Sequence, residues 1–139
     1  MTIITRLIAG AAAIAVLIVG ALFVAAPASA LSATSYTPAV LAEAQASGKP
    51  FLIDFFASWC STCKAQERVI EGLIEENPAY GEIEIIRVDW DENERGDLVR
   101  DMAIPRRSTL VVMEGTTELG RIVAGTGRDQ IAELLDLAL

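Results

Sequence analysis

The chain has 139 residues, with 11 Lys and Arg against 19 Asp and Glu, a net charge of −8, two cysteines and no histidine. That length suits one domain, and the acidic balance argues against nucleic acid or an anionic membrane surface as a partner. Two cysteines without histidine argue against a zinc site built from Cys and His ligands and against a Cys-His hydrolase pair.

Arg6 precedes an apolar run over residues 7–26, and Pro27-Ala28-Ser29-Ala30 supplies the small-x-small pattern of a signal-peptidase site. The run is also long enough to span a bilayer, so a signal cleaved after Ala30 and a retained membrane anchor are both open. In either case Arg6 stays inside by the positive-inside rule, and the rest of the chain is delivered to the extracytoplasmic, periplasmic side. The expected organisation is therefore a leader over 1–30 and a single domain over 31–139. That domain carries ten bases against all 19 acids, a balance of −9.

Residues 31–35 read as a small-residue linker. Thr37-Pro38 reads as an N-cap followed by the favoured first helical proline, and the helix should stop near Gly48. Residues 51–56, Phe-Leu-Ile-Asp-Phe-Phe, form a short apolar run that suits a strand buried on both faces, which makes Asp54 anomalous. Val69, Ile70, Leu73 and Ile74 repeat at helical spacing until Asn77-Pro78 ends the pattern. A strand is expected over 83–88 and a short helix around Leu98, Val99 and Met102. A hairpin over 109–113 and 118–124 should turn at Gly115, and a last helix should run from about Gly127 with Ile131, Leu134 and Leu135 inward. Strands joined through helices and then by a hairpin predict an α/β fold with a mixed sheet of about four strands, covered by helices on both faces.

Cys60 and Cys63 fall where the first of these strands meets its following helix. A cysteine at a helix N-terminus meets unpaired N–H groups and the positive end of the macrodipole, which lower a thiol pKa from about 8.5 toward roughly 3.5–7.5. Cys63, one turn further on, should be more buried and remain a thiol until it resolves a mixed disulfide formed on Cys60. A structural disulfide is the dull alternative, but so short a loop removes little unfolded-state entropy. The acidic stretch Asp89-Trp90-Asp91-Glu92-Asn93-Glu94 lacks the glycine and the final glutamate of a calcium loop, and reads as a solvated acidic loop. Trp90 and Tyr80 read as packing residues.

These residues resemble the thioredoxin superfamily over nearly all of 37–139. Beyond the pair in Trp59-Cys60-Ser61-Thr62-Cys63-Lys64, Asp54 stands at the family's buried aspartate, which assists proton transfer at the second cysteine. Arg87 stands where the family has a lysine beside that aspartate. Trp59 matches the tryptophan before the first cysteine, and Gly125 the glycine before the final helix. The resemblance implies a thioredoxin fold and a catalytic set of Cys60, Cys63, Asp54 and Trp59. It also implies no metal and no cofactor beyond the redox-active disulfide Cys60–Cys63.

The departures are two. The family's cis-proline position falls on Ser108 when 102–110 is matched without a gap and on Pro105 when counted from Cys63, and the register of Ser108-Thr109-Leu110 favours Ser108. A non-proline cis bond costs about 2.5–4 kcal/mol, so a trans peptide is open there. Arg107, Ser108 and Thr109 would then meet bound polypeptide, with Arg107 favouring acidic partners. Arg68 also replaces the proline that kinks the active-site helix in many members.

The implied function is an exported thiol–disulfide oxidoreductase that reduces or exchanges disulfides in extracytoplasmic proteins and acts as a monomer. Similarity to thioredoxin-like domains of bacterial membrane thiol reductases, and to exported thioredoxins of cytochrome c maturation, implies a membrane thiol reductase as electron donor. A thiol oxidase and a non-catalytic thioredoxin-fold binding module are the alternatives.

Overall fold

The computed structural model describes residues 31–139, so the expected leader lies outside the described residues. A two-residue strand β1 (Thr34–Ser35) precedes α1 (Pro38–Ala46), β2 (Pro50–Phe56) and α2 (Ser61–Glu76). A 3-10 turn (Pro78–Glu82) leads into β3 (Glu84–Asp89) and two short helices, α3 (Trp90–Asn93) and α4 (Asp97–Asp101). The hairpin of β4 (Thr109–Glu114) and β5 (Thr117–Val123) is followed by α5 (Arg128–Asp136).

The ends of these elements follow local chemistry. The Thr37 side chain accepts the Val40 N–H at 3.1 Å and Pro38 fills the first helical position of α1. Asn77 works twice: its extended backbone ends α2, and its side chain accepts the Ala79 N–H to open the 3-10 turn at Pro78. Gly115 takes a φ of +57° between Glu114 and Thr117, a conformation open to glycine that lets β4 reverse into β5.

The sheet has the order β1-β3-β2-β4-β5. β3 runs parallel to both β1 and β2, while β4 is antiparallel to β2 and to β5. It has five strands rather than four, because residues 34–35, expected as linker, pair with Ile86 and Arg87 of β3. Two exposed residues offer no hydrophobic alternation, so only the open edge of β3 reveals this strand. The stretch expected as an acidic loop is instead the single turn of α3. Asp89 caps it by accepting the Asp91 N–H, and Asp91 and Glu92 lie in its first turn where acids suit the helix dipole.

Alternation along the strands divides the core between two faces. Leu52, Ile85, Leu110 and Val112 pack under α2 and α5 with Ile70, Leu73, Ile131, Leu134 and Leu135. Phe51, Ile53, Phe55, Ile86, Val88 and Val111 pack on the opposite face with Ala44 of α1 and Val99 of α4. Phe51, Leu52, Ile53 and Phe55 are fully buried in β2, each side chain contributing roughly 1.5–3 kcal/mol against the entropy of ordering it. This central strand therefore holds whatever its C-terminal end carries.

The loop between β5 and α5 closes over the same end of the sheet through Gly125. A Cβ at this position would lie 2.8 Å from Ile122 Cγ2 and would collide with Gln130 Oε1. Gly125→Ala is expected to destabilise the fold by about 1–3 kcal/mol, read as a lower urea midpoint at unchanged slope.

Candidate active site

At the C-terminal end of β2 the chain turns through residues 57–60 into α2, held by the Cys60 N–H donating to Ala57 O at 3.0 Å. Cys60 is the N-cap of α2: its backbone is extended and its Sγ accepts the Cys63 N–H at 3.1 Å. The first turn of a 16-residue helix thus aims a donor and its dipole at the first sulfur. Both cysteines are free thiols and buried.

A third side chain completes the group. Ser108 Oγ lies 3.1 Å from Cys60 Sγ and 3.2 Å from Cys63 Sγ. Ser108 is fully buried and its backbone is pinned on both sides, its N–H donating to Phe55 O and its carbonyl accepting the Ala124 N–H, each at 2.8 Å. It holds a φ of +61°, a left-handed conformation that costs a non-glycine residue about 1–3 kcal/mol. All peptide bonds among the described residues are trans. Of the two sequence positions matching the family's proline, the structure brings Ser108 against the sulfurs, while Pro105 is exposed.

Gln66 escaped the sequence reading. It is buried on α2, three residues after Cys63, and its Nε2 donates to Ser108 O at 3.1 Å and to Gly125 O at 2.9 Å. One amide thereby ties the cysteine helix to both loops that flank it. Its visible signal was a polar residue on the face shared by Cys63, Ile70 and Leu73.

The two thiols are driven apart in acidity. Burial pushes Cys60 up, but hydrogen bonds from the Cys63 thiol, the Ser108 hydroxyl, the Cys63 N–H and Arg107 outweigh it and bring the thiol down to about 7. Burial pushes Cys63 up, and its hydrogen bond to Cys60 adds to the rise. Cys60 is thus the sulfur that ionises first.

Asp54 lies in the middle of β2 opposite Arg87 of β3, on the sheet face covered by α2. It is buried, and Arg87 Nε donates to its Oδ2 at 3.0 Å. The Arg87 guanidinium also forms an ion pair with Glu67 Oε1 of α2 at 3.0 Å and lies 4.1 Å over the Phe56 ring. Burial raises Asp54 to about 6, although Arg87 pulls the other way.

The rim is formed by Trp59, 56% exposed beside the cysteines. Its Nε1 donates to Asp91 Oδ2 at 2.8 Å, and the Arg107 guanidinium lies 4.2 Å over its ring. Asp91 is thus a rim residue that the sequence offered only as part of an acidic stretch. Thr109 is buried with its hydroxyl on Arg106 O at 2.7 Å, so its side chain faces inward. Arg68 is exposed, and α2 runs unbroken through it.

The thioredoxin family model matches residues 29–137. The chain is 28% identical over 93 residues to a thioredoxin of Mycolicibacterium smegmatis, covering 67% of this chain and 81% of that protein. It is 29% identical over 87 residues to a bifunctional thioredoxin reductase/thioredoxin of Mycobacterium leprae (strain TN), covering 63% of this chain and only 18% of that longer protein. Among solved structures, Trxlp from Edwardsiella tarda EIB202 superimposes with a TM-score of 0.66 at 30% identity, covering 75% of this chain and 98% of that one. With the fold, the cysteine pair at the start of α2 and a family match over all but the last two described residues, the chain belongs to the thioredoxin family of thiol–disulfide oxidoreductases.

Proposed function

We propose that this protein is an exported thiol–disulfide reductase or exchanger, working on disulfides of extracytoplasmic proteins through the Cys60–Cys63 dithiol. The observation that carries the exchange chemistry is Cys60 Sγ held at the N-terminus of α2, accepting the Cys63 N–H at 3.1 Å, with the buried Cys63 one helical turn behind it. Cys60 thiolate attacks a substrate disulfide, forming a mixed disulfide and releasing one substrate thiolate. Cys63 then attacks Cys60 Sγ, displacing the second substrate sulfur. Two electrons pass from the cysteine pair to the substrate, and the Cys63 proton ends on a released thiolate.

A first thiol near 7 supports the reducing direction, because thioredoxins sit at about 7 and strong oxidases of this fold near 3.5. Asp54 is proposed to take up and return the Cys63 proton, since a carboxyl at about 6 exchanges protons close to neutrality. Trp59 and the stacked Arg107 offer docking polypeptides an apolar face bearing a positive charge, which favours acidic residues near the target disulfide. No cofactor beyond the redox pair is invoked, and the protein acts as a monomer.

Export rests on the residue pattern of 1–30, with 31–139 as the working domain. A membrane thiol reductase is the proposed donor, with cytochrome c maturation among the processes served. In cells the protein is expected in the extracytoplasmic fraction, free or bound to the membrane, and mainly as the dithiol after acid quenching and thiol labelling. Recovery in the cytoplasm would overturn the export, and recovery as the disulfide would indicate an oxidase.

Cys63→Ser is expected to accumulate mixed disulfides on Cys60 that non-reducing gels resolve and thiol reductant releases, whereas Cys60→Ser traps nothing. Absence of any adduct on Cys63→Ser would leave a binding module as the better reading.

The Asp54 carboxyl sets a pH dependence of stability with a definite sign. The unfolded chain ionises it near 3.9, so between about pH 4 and 6 the native state keeps a proton that the unfolded state has released. Its contribution is fully present below that window and lost as the pH rises through about 6. Asp54→Asn is therefore expected to gain up to about 3 kcal/mol over the wild type in urea unfolding at pH 7.5, and nothing near pH 4. Resolution of mixed disulfides by Cys63 should slow in the same variant.

A further inference from the structure

Among the described residues, Ser108 is the one group hydrogen-bonded to both sulfurs, apart from the sulfurs themselves. Its hydroxyl stands almost equidistant from them, at 3.1 and 3.2 Å, and in each contact either partner can be the donor. Its backbone cannot drift. The N–H is held by Phe55 O, and the carbonyl by the Ala124 N–H and Gln66 Nε2, inside a fully buried setting. What stays free is rotation of the O–H, which can aim its single proton at one sulfur or the other. Retention of a φ of +61° at a non-glycine residue shows that the surrounding structure enforces this placement.

We propose that Ser108 is a catalytic residue whose hydroxyl follows the negative charge, donating to Cys60 Sγ in the resting dithiol and turning to Cys63 Sγ once Cys60 is tied up in the mixed disulfide. This role rests on the exchange reading of the cysteine pair. In the dithiol the charge is on Cys60, so the Ser108 O–H points there, beside the Cys63 S–H that donates to the same sulfur. Attack on a substrate disulfide turns Cys60 Sγ into a neutral, divalent sulfur and removes that demand. The next nucleophile is Cys63, which must shed its proton in a buried setting, and a donor already 3.2 Å away stabilises the thiolate as it forms. When Cys63 displaces the substrate sulfur, both cysteines become neutral in their disulfide and the departing thiolate carries the charge away. Ser108 forms and breaks no covalent bond.

The other charged or titratable groups around the pair have different reach. Arg107, from the loop before β4, touches Cys60 and is stacked on Trp59. Asp54 of β2 lies on the sheet face under α2, committed to Arg87 of β3, which Glu67 of α2 also holds. None of these is hydrogen-bonded to both sulfurs.

The test is single-turnover reaction of the reduced full-length protein with 5,5′-dithiobis(2-nitrobenzoic acid). The first thionitrobenzoate reports attack by Cys60, and the second reports attack by Cys63 on the resulting mixed disulfide. Ser108→Ala removes the hydroxyl, and Ser108→Gly removes it while accepting φ +61° without strain. Both variants are expected to raise the pH midpoint of each phase by about one unit. At pH 7 that slows attack by Cys60, whose thiol lies at about 7, about fivefold and attack by Cys63, whose thiol lies higher, about tenfold. Slowing of the glycine variant without a midpoint shift, or a shift confined to one phase, would overturn the role assigned to Ser108. A wild-type protein that releases only one thionitrobenzoate would instead overturn the exchange reading itself.

Discussion

Cys60 caps its own helix, and the acceptor sulfur of that cap is also the proposed nucleophile. The Cys63 N–H that would otherwise be an orphan donor in the first turn of α2 is satisfied by Cys60 Sγ at 3.1 Å. Negative charge on this sulfur strengthens the cap, so ionising the thiol and starting the helix are the same local event. The buried strand β2 fixes where this happens, because its fully buried Phe51, Leu52, Ile53 and Phe55 leave no freedom to slide the turn that follows.

Around that cap the protein holds two loops to one helix with few bonds. Gln66 reaches from α2 to the carbonyls of Ser108 and Gly125, and Ala124 donates to Ser108. The loops before β4 and before α5 are thereby registered against the helix that carries the cysteines. Ser108 and Ala124 both adopt positive φ, at +61° and +56°, so two strained residues meet beside the sulfurs. Strain of this kind persists where surrounding contacts over-determine the geometry, and the shared hydrogen bonds supply that determination.

The charges are layered by depth. Asp54 is buried with one guanidinium shared between it and Glu67, and burial dominates its acidity. Cys60 lies above, where donors outweigh burial, and Arg107 stacked on Trp59 forms the exposed rim. At the rim the Trp59 ring lies between opposite charges, its Nε1 donating to Asp91 and its face covered by the Arg107 guanidinium.

Much of this was legible in the residues alone. The order of helices and strands, the cysteine pair at a strand-to-helix turn, and the anomaly of Asp54 in an apolar strand all follow from local periodicity and composition, which act within a few residues of chain. Only tertiary structure decided that Ser108 rather than Pro105 meets the sulfurs, since that depends on how the loop after α4 is anchored to Phe55 and Ala124. The same holds for β1, whose two exposed residues become a strand only against the open edge of β3. It holds again for Gln66 and Asp91, polar residues whose partners lie 42 and 32 positions away in sequence, at Ser108 and Trp59. Local pattern sets which segments become helix or strand, because burial and backbone hydrogen bonding select them residue by residue. Which side chains meet across the site is set by long-range packing, which no window of sequence contains.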